Sequence, residues 1–138
     1  MQETYIYTSD IQEIPRIRLD IQNLYKLWQV PDAELRQVIV IVEELFSNII
    51  RFAFEDHIEH EININLERDQ QDLKITLIDD GTSFNPMQYN PSEVSDPVIS
   101  ETGGMGLTLV ETFSDSIDYH RIGNKNHLTV SKTIKSKP

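Results

Sequence analysis

The run Val42-Glu43-Glu44-Leu45-Phe46-Ser47-Asn48-Ile49-Ile50-Arg51-Phe52-Ala53-Phe54 constrains this chain more than any other stretch. It places a carboxylate and a carboxamide four residues apart inside an otherwise apolar helical pattern. On an α-helix Glu44 and Asn48 share a face. Burying such a pair without partners is expensive, so either that face meets water or a ligand fills the space beside it. Leu35, Val38, Ile39, Val42, Leu45, Ile49 and Phe52 form one broad stripe, which predicts a helix capped by Asp32 and running to about residue 55.

The rest of the chain arranges itself around that helix. Glu3 to Thr8 is β-branched and aromatic enough for a first strand, and Ser9 or Asp10 then makes an N-cap. Ile14, Ile17, Ile21, Leu24, Leu27 and Trp28 recur at helical spacing, predicting an amphipathic helix over about 11–29 with Pro15 in its first turn. Beyond the central helix, Ile62, Ile64 and Leu66 alternate with polar residues. Leu73, Ile75 and Leu77 do so again after the turn Asp69-Gln70-Gln71-Asp72, which predicts a hairpin. A last hairpin joins Ile117-Asp118-Tyr119 to Leu128–Ile134 around Gly123-Asn124-Lys125-Asn126. Between the hairpins a stretch rich in Pro, Asn and Ser, about 85–103, is longer than connections usually are and reads as a lid. Gly103-Gly104-Met105-Gly106 follows, then a helix carrying Leu107, Leu109, Val110 and Phe113. Antiparallel strands with helices that must cover a single face describe an α+β two-layer sandwich, with a mixed but mostly antiparallel sheet.

With 138 residues, one domain covering 1–138 is expected. The absence of cysteine excludes disulfides and thiolate metal sites. A net charge of −11 argues against nucleic acid, which is held through a concentrated basic face. The longest apolar run, Val38–Val42, is too short for a membrane span, and the N-terminal residues lack a secretion signature, so a cytoplasmic protein is expected.

Three local features can carry chemistry. Glu44 could orient or deprotonate a nucleophile while the Asn48 amide oxygen ligates a hard cation such as Mg2+; alternatively the pair is a polar helix edge facing water. Asp79-Asp80-Gly81 ends an apolar strand, where an acid can accept a hydrogen bond from a base amino group beside a glycine that leaves room for a flat ring; Asp-Gly is also an ordinary turn. Gly103-Gly104-Met105-Gly106-Leu107 opens a helix whose amides can cradle phosphates, or serves as a hinge. Neither the Walker nor the dinucleotide glycine pattern is present, which disfavours a P-loop or Rossmann fold.

As a set, in this order, these features resemble the anti-sigma factor serine/threonine-protein kinases, small histidine-kinase-like ATPases of the GHKL superfamily with the Bergerat fold. The resemblance extends from about Tyr5 to Lys135. It implies ATP and Mg2+ as cofactors. Glu44-Leu45-Phe46-Ser47-Asn48 is similar to the family's N-box, which implies Glu44 as general base and Asn48 as magnesium ligand. Asp79-Asp80-Gly81-Thr82-Ser83-Phe84 is similar to its first glycine box, implying that Asp79 holds the adenine amino group, with Gly81 and Phe84 at the nucleotide. Gly104-Met105-Gly106-Leu107 is similar to the second glycine box, which closes on the phosphates. Thr129 resembles the residue that shares a water with the adenine-binding acid, and Arg51 stands where relatives point a polar or basic side chain at the phosphates.

By resemblance, the partners are a STAS-type anti-anti-sigma factor, phosphorylated on serine, and a sigma factor; a homodimer is compatible, and neither nucleic acid nor membrane is expected. The chain departs from the family in two respects. Phe52 stands where the N-box often has His, and no Lys or Arg occurs from Ile75 through His120. The second departure keeps an alternative open, a nucleotide-responsive binding module with little or no turnover.

Overall fold

The computed structural model describes residues 1–54, 56, 58–88 and 106–134. The described elements are β1 (Gln2–Thr8), α1 (Ile14–Leu27), α2 (Asp32–Phe52), β2 (Glu61–Asp69), β3 (Asp72–Asp79), β4 (Ser116–Ile122) and β5 (Lys125–Thr133). A further helix, α3, covers residues 106–113. The five strands form one sheet in the order β1-β2-β3-β5-β4, and every neighbouring pair is antiparallel. This corrects the expectation of a mixed sheet. β3 and β4 do run in the same direction, as strands joined through a helix should, but β5 inserts between them and pairs antiparallel with both.

One face of the sheet meets the helices. Tyr7, Ile62, Ile64, Leu66, Leu73, Ile75, Leu77, Leu128 and Val130 project from it, alternate residues along each strand. Ile17, Ile21, Leu24 and Tyr25 of α1, with Val38, Ile41, Val42, Leu45, Phe46 and Ile49 of α2, pack onto them. Burying each of these larger side chains contributes about 1.5–3 kcal/mol. The architecture is the α+β two-layer sandwich that the pattern of strands and helices indicated.

The helix ends show the local chemistry. Asp10 accepts a 2.8 Å hydrogen bond from the Gln12 N–H, and a single 3-10 turn, Ile11–Glu13, precedes α1, which therefore begins later than the spacing alone suggested. Pro15 lies in the first turn of α1, where a missing N–H costs nothing. In α2 the capping position is Pro31, not Asp32, and no side chain caps it. Asp32 and Glu34 occupy the first turn, where their charge complements the positive end of the helix. α2 stops at Phe52, and the Ala53 carbonyl just beyond it accepts from the Thr82 N–H at 2.8 Å.

Candidate functional site

At one end of the sheet the inward stripes change from apolar to polar. β3 runs Leu73, Ile75, Leu77 and then Asp79; β5 runs from Leu128 back to Asn126, directly opposite Asp79 in the register. From α2 comes Asn48, and all three side chains are buried, none more than 3% exposed. The Oδ1 of Asp79 accepts from the Gly81 N–H and from Asn126 Nδ2, each at 2.9 Å. Burial pushes the Asp79 carboxyl above its ordinary range, while those two hydrogen bonds and the Arg121 charge pull it back. Both bonds arrive at Oδ1, so Oδ2 is the oxygen that remains to receive a ligand's N–H.

Gly81 has a reason beyond room for a ring. A Cβ there would stand 2.4 Å from the Ala53 carbonyl oxygen, so the loop after β3 reaches the end of α2 only because this side chain is absent. Thr82 completes the junction with its N–H and its Oγ1, 2.8 and 3.2 Å from that carbonyl oxygen. Phe84 then packs its ring against Phe52, centroids 5.4 Å apart.

Asn48 donates from Nδ2 to the Glu44 carbonyl at 2.7 Å, while its buried Oδ1 has no hydrogen-bond partner. An orphaned amide oxygen costs about 1–3 kcal/mol, and a hard cation supplies what it lacks. Among the described residues no group of three or more His, Cys, Asp or Glu side chains could hold a metal ion by itself. A Mg2+ ion at Asn48 would therefore draw its other oxygens from phosphates and water, the manner in which this ion is usually held.

One turn earlier, Glu44 is half-buried. Its carboxyl is raised by desolvation, opposed by the charge of Arg51 and reinforced by Glu43. Arg51 itself is exposed in the last turn of α2. Gly106, the first described residue of α3, packs directly on Glu44: a Cβ at Gly106 would lie 1.9 Å from Glu44 Oε2. Leu107 and Val110 anchor α3 in the core at 8% and 0% exposure. The structure thus brings Glu44, Asn48, Asp79, Gly81, Phe84, Gly106 and Leu107 into one region around the ends of α2, β3 and α3. Gly104, Met105 and the lid beyond Gln88 lie outside the described residues.

Thr129 does not join them. It sits in β5 opposite Thr76, with the two hydroxyls 3.3 Å apart, on the face of the sheet turned away from the helices. Successive strand residues alternate faces, so Thr129 is out of phase with Asp79, and a water shared between them has no geometric support. The residue that meets Asp79 is Asn126, which sequence reasoning assigned to a turn. A signal was present: Asn126 continues the every-second-residue spacing of Leu128 and Val130, which places it on the buried face.

The chain matches the histidine kinase-like ATPase domain over residues 7–132. It belongs to that family. It is similar to an anti-sigma F factor of Oceanobacillus iheyensis, 28% identical over 87 residues, 62% of this chain and 59% of that protein. It is similar also to the serine-protein kinase RsbW of Listeria innocua, 30% identical over 83 residues, 56% of this chain and 53% of that one. The chain thus spans somewhat over half the length of these relatives. A solved structure of RsbU and RsbW domains from Mycobacterium tuberculosis shares the fold, with a TM-score of 0.71 at 10% identity over 100% of this chain and 33% of the other. No helix among the described residues is long and apolar enough to cross a membrane.

Proposed function

We propose that this domain binds ATP with Mg2+ between α2, the loop after β3 and the start of α3, and transfers the γ-phosphate to a serine hydroxyl of a partner protein. The observation that carries the reading is the buried, partnerless Oδ1 of Asn48 one helical turn from a half-buried Glu44. Asn48 Oδ1 would help hold the cation, which would supply charge neutralisation to the phosphates. Asp79 Oδ2 would receive the exocyclic amine of adenine. Glu44, its basicity raised by burial, would take the proton of the serine hydroxyl as the Oγ–P bond forms and the bond from phosphorus to the ADP oxygen breaks. Arg51, acting across the same helix face, would stabilise negative charge on the transferring group. Gly104, Met105, Gly106 and Leu107 would close on the phosphates.

The names of the relatives support an anti-sigma role, with a sigma factor sequestered and a STAS-type anti-anti-sigma protein as the phosphoacceptor. A net charge of −11 favours such a switch: phosphorylation adds about −1.5 to −2 at neutral pH, and a contact serine so modified would be repelled. A second reading, a nucleotide-gated binding module without turnover, is favoured by the absence of Lys and Arg from Ile75 through His120. Glu44→Gln separates the two. On the kinase reading it keeps Mg-ATP and partner binding while phosphate transfer to the STAS protein, measured with labelled ATP, falls roughly 10²–10⁴-fold. Equal and negligible transfer by wild type and Glu44→Gln, with binding intact in both, would leave the binding module as the function.

A further inference from the structure

The Asn126 carboxamide lies at the crossing point of the whole loop that follows β3. Its Nδ2 donates to Asp79 Oδ1 at 2.9 Å and to the Thr82 carbonyl at 2.8 Å. Its Oδ1 accepts from the Phe84 N–H at 3.3 Å, from Arg121 Nη1 at 3.1 Å and from the Tyr119 hydroxyl. Arg121 Nη1 also reaches the Gly81 carbonyl at 2.7 Å. The orientation of the amide is fixed by these neighbours: a carboxylate and a carbonyl, which only accept, surround one end, while a backbone N–H and a guanidinium, which only donate, address the other. With 2% exposure, the side chain is inaccessible to water that could substitute for any of them.

From this geometry we infer that Asn126 is the positioning residue of the adenine pocket: it holds Asp79 by one oxygen so that the other is presented, unprotonated and correctly aimed, to the base amine. The inference rests on the reading of Asp79 as the adenine-binding acid. The need for such a residue follows from the surroundings of Asp79. A carboxylate buried this far can rotate about its terminal bond, which takes the free oxygen out of line with the base amine, or take up a proton, which exchanges the acceptor that adenine needs for a donor that fits guanine's carbonyl. Two N–H donors converging on Oδ1 oppose both changes, because each would lose a hydrogen bond to the ionised oxygen. One of the donors, the Gly81 amide, belongs to the loop itself. Among the described residues Asn126 is the side chain that ties the carboxylate to the neighbouring strand β5, and through Thr82, Phe84 and Gly81 the same network sets where the loop stands relative to it.

Asn126→Asp is the sharpest test, since it retains the shape and the acceptor facing Phe84 and Arg121 but replaces the donor facing Asp79 with a second carboxylate. Calorimetric affinities for ADP and GDP are measured at about pH 8 and about pH 5.5, where two carboxylates sharing a site would take up one proton between them. At the higher pH the variant should bind ADP roughly 10-fold to 100-fold more weakly than wild type, the equivalent of losing one or two hydrogen bonds, with its preference over GDP diminished. At the lower pH the shared proton restores a hydrogen bond to Asp79, and the ratio of wild-type to variant affinity should shrink. A merely structural role for Asn126 would leave that ratio independent of pH. If Asp79→Ala loses adenine preference while Asn126→Asp matches wild type at both pH values, the positioning role is overturned and the adenine reading of Asp79 stands. If Asp79→Ala changes nothing either, the adenine reading fails and takes this inference with it. Should Asn126→Asp not fold, the side-chain amide protons of Asn126 in the wild-type ADP complex decide by NMR. Protection from solvent exchange supports the role, and exchange as fast as that of an exposed asparagine overturns it.

Discussion

A methyl group on Gly106 would stand 1.9 Å from the carboxylate oxygen Oε2 of Glu44, and 2.4 Å from its Cδ. The start of α3 therefore rests on the side chain proposed as the base. What obstructs the methyl is the far end of a flexible side chain, so Gly106→Ala can be relieved by rotating the Glu44 carboxylate away. We expect the variant to fold and to bind nucleotide, while phosphate transfer drops on the order of 10²-fold because the displaced base no longer meets the hydroxyl. Single-turnover transfer from labelled ATP measures this directly, and transfer at the wild-type rate would show that the position of Glu44 does not matter to the reaction.

The same substitution at Gly81 has the opposite character. There a Cβ would meet the Ala53 carbonyl oxygen at 2.4 Å and the Ala53 carbonyl carbon at 2.9 Å, and a backbone cannot rotate out of the way. Gly81→Ala should separate the loop from the end of α2, break the Thr82 hydrogen bond to Ala53, and cost about 1–3 kcal/mol of stability in urea unfolding. Gly106→Ala should lose much less. A ranking in the reverse order would contradict the packing described for the two glycines.

These glycines also show what the sequence made legible. Periodicity located β2, β3 and the two long helices, because two-residue and 3.6-residue spacing are direct consequences of which side faces the core, while β1 was legible from its β-branched and aromatic content and the β4–β5 hairpin from its turn residues. Glu44, Asn48 and Asp79 stood out as polar residues in register with apolar stripes, and the structure buries Asn48 and Asp79 where those stripes place them. Asn126 and Lys132 obeyed the same rule, flanking Leu128 and Val130 at two-residue spacing, yet both were passed over because neither belongs to a recognised motif. Thr129 shows the converse: motif similarity suggested it, while its phase in β5 places it on the other face. The insertion of β5 between β3 and β4 was invisible, since strand order depends on long-range pairing that no local pattern encodes.

His60 adds a pH dependence. Its Nε2 lies 2.8 Å from Asp56 Oδ2 and its Nδ1 3.0 Å from Asp80 Oδ1, so both ring nitrogens must carry protons to donate to both carboxylates. The Phe54 ring stacks on it at 4.4 Å, and Arg121 borders the same cleft. The hydrogen bond to Asp56 leads the effects that raise the His60 pKa in the folded state. A raised folded value means that the stabilisation is complete below the unfolded pKa of about 6.5 and disappears as pH climbs through the folded value. Wild type should therefore exceed His60→Gln in denaturant midpoint most clearly near pH 6, with the difference narrowing above it. A difference that widens on going to alkaline pH would show that the imidazolium clamp does not hold the loop.

Lys132 provides the last test, at the opposite end of α3. Its Nζ pairs with Glu34 Oε2 at 3.0 Å, donates to the Phe113 carbonyl at 2.9 Å and also donates to Gln37 Oε1, joining the first turns of α2 to β5 and to the end of α3. Both charged side chains are nearly inaccessible, 5% exposed for Lys132 and 9% for Glu34. Charges so placed are costly to desolvate, and their attraction repays that cost only while both remain. Lys132→Met should accordingly cost about 3–5 kcal/mol, because it takes the Lys132 charge away from the buried Glu34 carboxylate and the donor away from the Phe113 carbonyl. Adding Glu34→Met removes the buried carboxylate as well, so the double variant should recover a large part of that loss. The remaining deficit reports the bonds to Phe113 and Gln37. Denaturant unfolding of the four proteins in this cycle gives the coupling, and additive losses would mean that the pair contributes nothing as a pair.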